Sequence, residues 1–171
     1  MADNHDVLYS PWRLEYILSS KPDQCVFCIE RNPADADYDQ RHLVLYRGEH
    51  CFVIMNMYPY NNGHLLVAPY RHVRDLADLS EMETCDLFLT VRLAEKMLRE
   101  VYSPDGVNIG MNLGKAAGAG IESHLHAHIV PRWEGDHNFM TTTGGVRVIP
   151  EPFERAWTLL KEQFDKATGG K

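Results

Sequence analysis

Nowhere in its 171 residues does this chain stay apolar for the length of a membrane span, so a helical membrane protein is excluded first. The opening residues, MADNHDVLYS, are acidic and lack the apolar h-region of a secretory signal, which leads us to expect a cytoplasmic protein. Cysteine is scarce. Cys25, Cys28, Cys51 and Cys85 are too few for a disulfide framework, and in a reducing compartment the close pair Cys25 and Cys28 points to metal binding or redox work. An excess of positive charge is missing too: 17 Lys and Arg against 24 Asp and Glu give a net charge of −7, which works against nonspecific grip on DNA or RNA. Any anionic ligand must then be held by a local site. No internal repeat and no shift in composition marks a second domain, so a single domain over residues 1–171 is expected, folding alone or as a simple oligomer.

What is present is a succession of strand and helix signals. Residues 1–40 are polar and broken by Pro11, Pro22 and Pro33, an N-terminal arm whose one ordered-looking piece, YSPWRLEYIL, reads as a short helix bearing Trp12 and Tyr16. From His42 to Pro69 three strand-like runs follow, HLVLYRG, HCFVIMNM and HLLVAP, with Asn62-Gly63 as the turn signal before the third. Ser80 and Glu83 have the spacing of a capping box, and Leu87, Val91, Ala94, Leu98 and Val101 recur at helical intervals until Ser103-Pro104 ends the run. GVNIGMNL is a further strand, GKAAGAG a tight loop, and HLHAHIVP the strand expected to carry three histidines. After Pro150, PFERAWTLLKEQF reads as a terminal helix with Phe153, Trp157, Leu160 and Phe164 on one side, followed by a tail to residue 171. Cys51 and Cys85 fall in the strand and helix core patterns and are expected to be buried thiols. Strands on either side of one long helix, joined mostly by short turns, predict an α+β fold with an antiparallel sheet.

The segment SHLHAHIVPRW carries the chemistry. Successive side chains on a strand point to opposite faces, so His124, His126 and His128 share one face while Leu125, Ala127 and Ile129 take the other. Imidazoles titrate near neutrality, and such a row supplies a nucleophile, proton donors or metal ligands. A His-x-His pair on a strand also suits zinc, because alternate residues lie about 7 Å apart and both rings can lean toward one ion. The row alone leaves both chemistries open.

With Pro131-Arg132 after the row and Asn61-Asn62-Gly63-His64-Leu65-Leu66-Val67 upstream, residues 25 to 135 resemble the histidine triad (HIT) family of nucleotide hydrolases and transferases. The flanks, Asn56-Met57-Tyr58-Pro59-Tyr60-Asn61 and PRWEGDHNF, are similar to those of its dinucleoside polyphosphate phosphorylase branch. The resemblance implies a histidine triad fold, a split half-barrel of about five antiparallel strands with one long helix and a C-terminal helix, paired in a homodimer. It also implies that His126, its other nitrogen held by a backbone carbonyl, attacks an α-phosphate while His128 donates a hydrogen bond to the phosphate oxygens. His64 would reach the same pocket; the alternative is a surface residue at a strand end. By the same resemblance Asn112 binds phosphate and Asn56 reads the ribose hydroxyls, though a lone polar residue in FVIMNM also suits a strand cap. Gly118, Ala119, Gly120 and Ile121 would cradle phosphate on backbone N–H groups, with a flexible linker as the alternative. Phe52, Ile54 and Met55 are expected to divide between core and base pocket. Arg132 or Lys115 would supply charge near the site, or Arg132 would serve only as an ion-pair partner.

One departure from the family pattern bears on the reaction. Hydrolase members carry a Gln followed by Ser or Thr shortly before the triad, where this chain has Ala119-Gly120-Ile121-Glu122-Ser123. That argues for orthophosphate as the acceptor in place of water. The expected activity is nucleotidyl transfer from a dinucleoside polyphosphate such as diadenosine tetraphosphate to orthophosphate through an adenylyl-histidine, which in reverse is an adenylyltransferase. The alternatives are a triad hydrolase of dinucleoside polyphosphates or nucleoside phosphoramidates, and a non-catalytic nucleotide-binding module. Several bacterial triad proteins complete a CxxC knuckle with histidines at the positions of His72 and His124, which implies a structural zinc on Cys25, Cys28, His72 and His124. A free reduced CxxC and a redox pair are the rival readings.

Overall fold

The computed structural model describes residues 25–136, 149 and 151–169. The expected N-terminal helix with Trp12 and Tyr16 lies outside these residues, as does most of the DHNF flank. A four-residue helix, α1 (Tyr38–Arg41), leads into strands β1 (Val44–Arg47), β2 (Cys51–Met55) and β3 (Leu65–Pro69). Helix α2 (Glu81–Tyr102) follows, then β4 (Gly106–Met111), β5 (Ala127–Arg132) and α3 (Phe153–Thr168). The strands form one antiparallel sheet in the order β1-β2-β3-β5-β4. The α+β architecture is the one expected.

Local chemistry sets the element ends. At the start of α2 the Ser80 Oγ accepts from the Glu83 N–H at 3.2 Å and the Glu83 carboxylate accepts from the Ser80 N–H at 2.8 Å, which satisfies two otherwise orphaned donors. Ser103 closes the helix in the left-handed region with φ 45°. Gly63 precedes β3 at φ +70°, where a side chain would be strained, and a Cβ there would lie 2.7 Å from the Tyr102 ring. Among the described residues no helix is long and apolar enough to cross a membrane.

Strand alternation divides the apolar residues between two clusters. Cys51, Val53 and Met55 of β2 and Leu65 and Val67 of β3 join Leu125, Ala127 and Ile129 under the helices, with Leu87, Val91, Ala94 and Leu98 of α2 and Leu160 and Phe164 of α3. On the other face Phe52 and Ile54 pack with Val44, Leu66, Ala68 and Phe27. So Met55 belongs to the main core, and Phe52 and Ile54 to the opposite face. The expectation for Cys85 is corrected. Cys51 is buried but Cys85 is exposed, because it falls two residues, about 200° of helical rotation, before Leu87 and so on the far side from the core stripe.

The histidine strand also starts later than expected. Only His128 lies within β5, and His124 and His126 precede its first residue, Ala127. The register that pairs Val67 with Ala127 brings Pro69 opposite Leu125, and proline has no N–H to continue the ladder. The approach is held otherwise: the Leu125 N–H donates to the Val73 carbonyl at 2.7 Å. Leu125, Ala127 and Ile129 still point into the core, so the expected alternation persists through the unpaired residues.

Candidate active site

The sheet register builds the site from one transverse row. Val44 pairs with Ile54, Ile54 with Leu66, Leu66 with His128, and His128 with Gly110, so these five share the face opposite the helices. Gly110 offers no side chain beside His128, and no atom lies within 4 Å of where its Cβ would be. The space becomes a cleft of about 660 Å³ bounded by His128, Gly110, Asn108, Asn112, Arg132 and Tyr60, a size suited to a small ligand.

Backbone groups fix the tautomers of His64, His124 and His126, and His64 in turn fixes that of His128. The Tyr60 N–H, which can only donate, reaches His64 Nδ1 at 3.0 Å, and the Asn56 amide Nδ2 lies 3.2 Å from the same atom. The neutral His64 ring therefore carries its proton on Nε2 and donates it to His128 Nδ1 at 3.0 Å. That leaves His128 with an Nε2–H to offer a ligand. His126 Nδ1 donates to the His124 carbonyl at 2.8 Å, so its Nε2 holds a bare lone pair. His124 Nε2 donates to the Pro69 carbonyl at 2.9 Å, and its Nδ1 lone pair faces Cys25 Sγ at 3.4 Å and Cys28 Sγ at 3.8 Å.

Burial keeps the rings neutral. It pushes His64 down to about 3, helped by the repulsion that charging it beside His128 and His126 would bring, and His128, beside His126, down to about 4. His126 and His124 are also lowered by burial, each partly offset by the carbonyl that accepts its proton. A neutral imidazole with a free, in-plane lone pair can attack phosphorus.

The structure brings together His64, His126 and His128, and the rings of His126 and His128 meet edge-on at 4.9 Å. His64 is only 1% exposed, so the surface alternative fails for it. Asn56 follows the last residue of β2, its Oδ1 accepting from the Tyr58 N–H at 2.9 Å and its amide beside His64, which is the local cap weighed for it. Asn112 borders the cleft with His128 and donates to the Gly118 carbonyl at 3.5 Å. Gly118, Ala119, Gly120 and Ile121 do not border that cleft; Ile121 packs instead against the cluster containing Phe27. Arg132 makes a bidentate pair with Asp136 at 2.7 and 3.1 Å and donates to Asn108 Oδ1 at 2.9 Å, which fulfils the ion-pair reading at the rim of the cleft.

Cys25, Cys28, His72 and His124 form a four-donor cluster whose ligand atoms all lie within 4.8 Å of one another. Cys28 Sγ is 3.2 Å from His72 Nδ1. A tetrahedral zinc with two sulfur and two nitrogen ligands has edges of roughly 3.3 to 3.8 Å, so the donor set fits such an ion. Loss of solvent around Sγ, and then the neighbouring Cys25 thiol, raise the Cys28 thiol, a cost that a divalent cation between the two removes. Sequence reasoning overlooked two contributors. Phe27, inside the CxxC turn, stacks on His126, and Tyr60 supplies the N–H that sets the tautomer of His64. Both lie inside motifs already singled out, but a ring contact across 99 residues and a backbone donor leave no mark on composition or spacing.

The HIT domain family model matches residues 38–135, and the chain belongs to that family. It is 37% identical over 169 residues to a Mycobacterium tuberculosis protein named AP-4-A phosphorylase, covering 92% of this chain and 83% of that one. A Schizosaccharomyces pombe protein named bis(5'-nucleosyl)-tetraphosphatase [asymmetrical] is 39% identical over 93 residues, covering 54% of this chain and 50% of that one. Among solved structures, a zinc-bound histidine triad family protein from Mycobacterium smegmatis superposes with a TM-score of 0.64 at 29% identity, covering 86% of this chain and 97% of that one.

Proposed function

We propose that this chain is a dinucleoside polyphosphate phosphorylase, with His126 as the nucleophile and orthophosphate as the acceptor. The observation that carries the reading is the buried, neutral His126 ring, whose Nδ1–H is taken by the His124 carbonyl so that Nε2 is bare. With diadenosine tetraphosphate, Nε2 forms a bond to an α-phosphorus as the bond from that phosphorus to the bridging oxygen breaks, and ATP leaves. The His128 Nε2–H, aligned through His64, donates to the phosphate oxygens as their charge rearranges. An orthophosphate oxygen then attacks the same phosphorus from the opposite side, the N–P bond breaks, and ADP is released. Two observations support phosphate over water as acceptor: the similarity to the named phosphorylase over most of both chains, and the absence of Gln from residues 119–123. The hydrolase alternative is favoured by shorter matches to named hydrolases, among them the tetraphosphatase and a Saccharomyces cerevisiae protein named bis(5'-adenosyl)-triphosphatase.

In this reading Asn56 faces the ribose, and Asn112 with the 118–121 loop faces the phosphates. A zinc ion on Cys25, Cys28, His72 and His124 ties the N-terminal segment to the sheet, leaving no ligand position for catalysis. A reducing, cytoplasmic setting suits its thiolates. A homodimer agrees with the exposed Met82, Phe88 and Leu89 of α2 and Ile109 of β4, one of the two edge strands of the sheet. The test is chromatography of the products from diadenosine tetraphosphate with and without orthophosphate. With phosphate, ADP and ATP in equal amounts over many turnovers are expected, and without it no ADP and at most one ATP per site; AMP and ATP at equal rates in both would promote the hydrolase.

A further inference from the structure

The turn between the two knuckle cysteines reaches the nucleophile directly. Phe27 lies in this turn, which is closed by the Cys28 N–H on the Cys25 carbonyl at 3.0 Å. It is 2% exposed and wedged among Val44, Phe52, Ile54 and Leu66 on the site face of the sheet. Its ring stacks on the His126 imidazole with centroids 4.7 Å apart and planes 29° from parallel. It also meets the His124 ring at 5.4 Å and 59°. So three neighbours surround the His126 ring: a carbonyl at one edge, the His128 ring meeting it edge-on, and the Phe27 plane stacked on one face.

We infer that Phe27 is a positioning residue for the nucleophile, fixing the plane of the His126 ring. The inference rests on the reading of His126 as the attacking group. The lone pair of Nε2 lies in the ring plane, so the direction of attack on phosphorus is set by that plane. The hydrogen bond from Nδ1 to the His124 carbonyl anchors one atom of the ring but still allows it to rock about that bond. A flat, buried partner on one face removes the rocking and keeps water from that side. A misplacement of about 1 Å at a reacting centre costs on the order of 100-fold, so even partial loosening is measurable. Because Phe27 sits between Cys25 and Cys28, the donor cluster that closes the knuckle also holds the ring in place.

The test is Phe27→Leu, which keeps apolar bulk and removes the plane. Three quantities are compared with the parent protein: the single-turnover rate of His126 adenylylation by diadenosine tetraphosphate, followed by intact mass; the Kd for AMP; and exchange of the His126 Nδ1 proton with water, followed by NMR. Adenylylation about tenfold slower, AMP affinity within twofold, unchanged zinc content and faster exchange of that proton are expected. A weaker AMP affinity with the adenylylation rate intact would make Phe27 a wall of the base pocket and overturn the inference, as would no change in rate and exchange. Failure of the parent protein itself to form an adenylyl-histidine would refute the proposed function, and the exchange measurement would still decide the role of Phe27. If leucine lowers the melting temperature by more than a few degrees, Phe27→Met, whose flexible side chain fills irregular gaps, takes its place in the same comparison.

Discussion

His64 shows how much a single residue contributes beyond its own contacts. It accepts from the Tyr60 N–H and donates to His128, so its neutral form is built into the site. A buried ring held down to about 3 refuses the proton that the unfolded chain accepts near 6.5. Between those values the unfolded state binds more protons, so stability must fall as the pH is lowered from about 6.5, by up to about 1.4 kcal/mol per pH unit for this residue. Chemical denaturation between pH 7 and 5 checks this: His64→Gln should give a shallower dependence on pH than the parent protein. Parallel dependences would mean that His64 titrates normally in the fold. At His126 the expectation is kinetic. His126→Ala should lower turnover by at least about 1000-fold while AMP still binds, since a nucleophile contributes only along the reaction path.

At the scale of elements, what the sequence made legible was what depends on periodicity. The capping box at Ser80 and Glu83, the stripe from Leu87 to Leu98 and the Asn62-Gly63 turn all stand where spacing put them. Less legible was what depends on a partner strand. The late start of β5 follows from Pro69 lying across from Leu125, a pairing invisible until the register is known. Asn56 reads by composition as an interior strand residue, but it lies just past Met55, the end of β2, with its N–H still donating to the His64 carbonyl at 2.9 Å. The three histidines were recognised by alternation and resemblance, but their tautomers depend on three backbone groups, the Pro69 and His124 carbonyls and, through His64, the Tyr60 N–H. Two variants test the elements. Gly63→Ala forces a Cβ at φ +70° to within 2.7 Å of Tyr102, and should cost about 2 to 4 kcal/mol in denaturant unfolding. Cys28→Ser should reduce zinc from about one per chain and lower the melting temperature by roughly 10 °C or more. Unchanged metal content and melting temperature would refute the four-ligand site.

Across the whole molecule, one sheet serves two purposes on its two faces. The helices cover one face with the main core, and the other carries the row from Val44 to Gly110 in which His128 and the cleft are set. The knuckle folds back onto that second face, so the Cys/His donor cluster and the His126 ring meet through His124 and Phe27. In the proposed reaction this arrangement acts by positioning and preorganised hydrogen bonds, and the four donors, if they hold a zinc ion, fill its tetrahedral positions. The central claim is that the adenylyl group passes from His126 to orthophosphate. Incubation with unlabelled diadenosine tetraphosphate and radiolabelled orthophosphate tests it most directly, because the acceptor's own phosphorus becomes the β-phosphorus of the product. Label appearing in ADP in equal amount to the ATP released, and lost with His126→Ala, is the result expected; unlabelled AMP accumulating while all label stays in orthophosphate would contradict it.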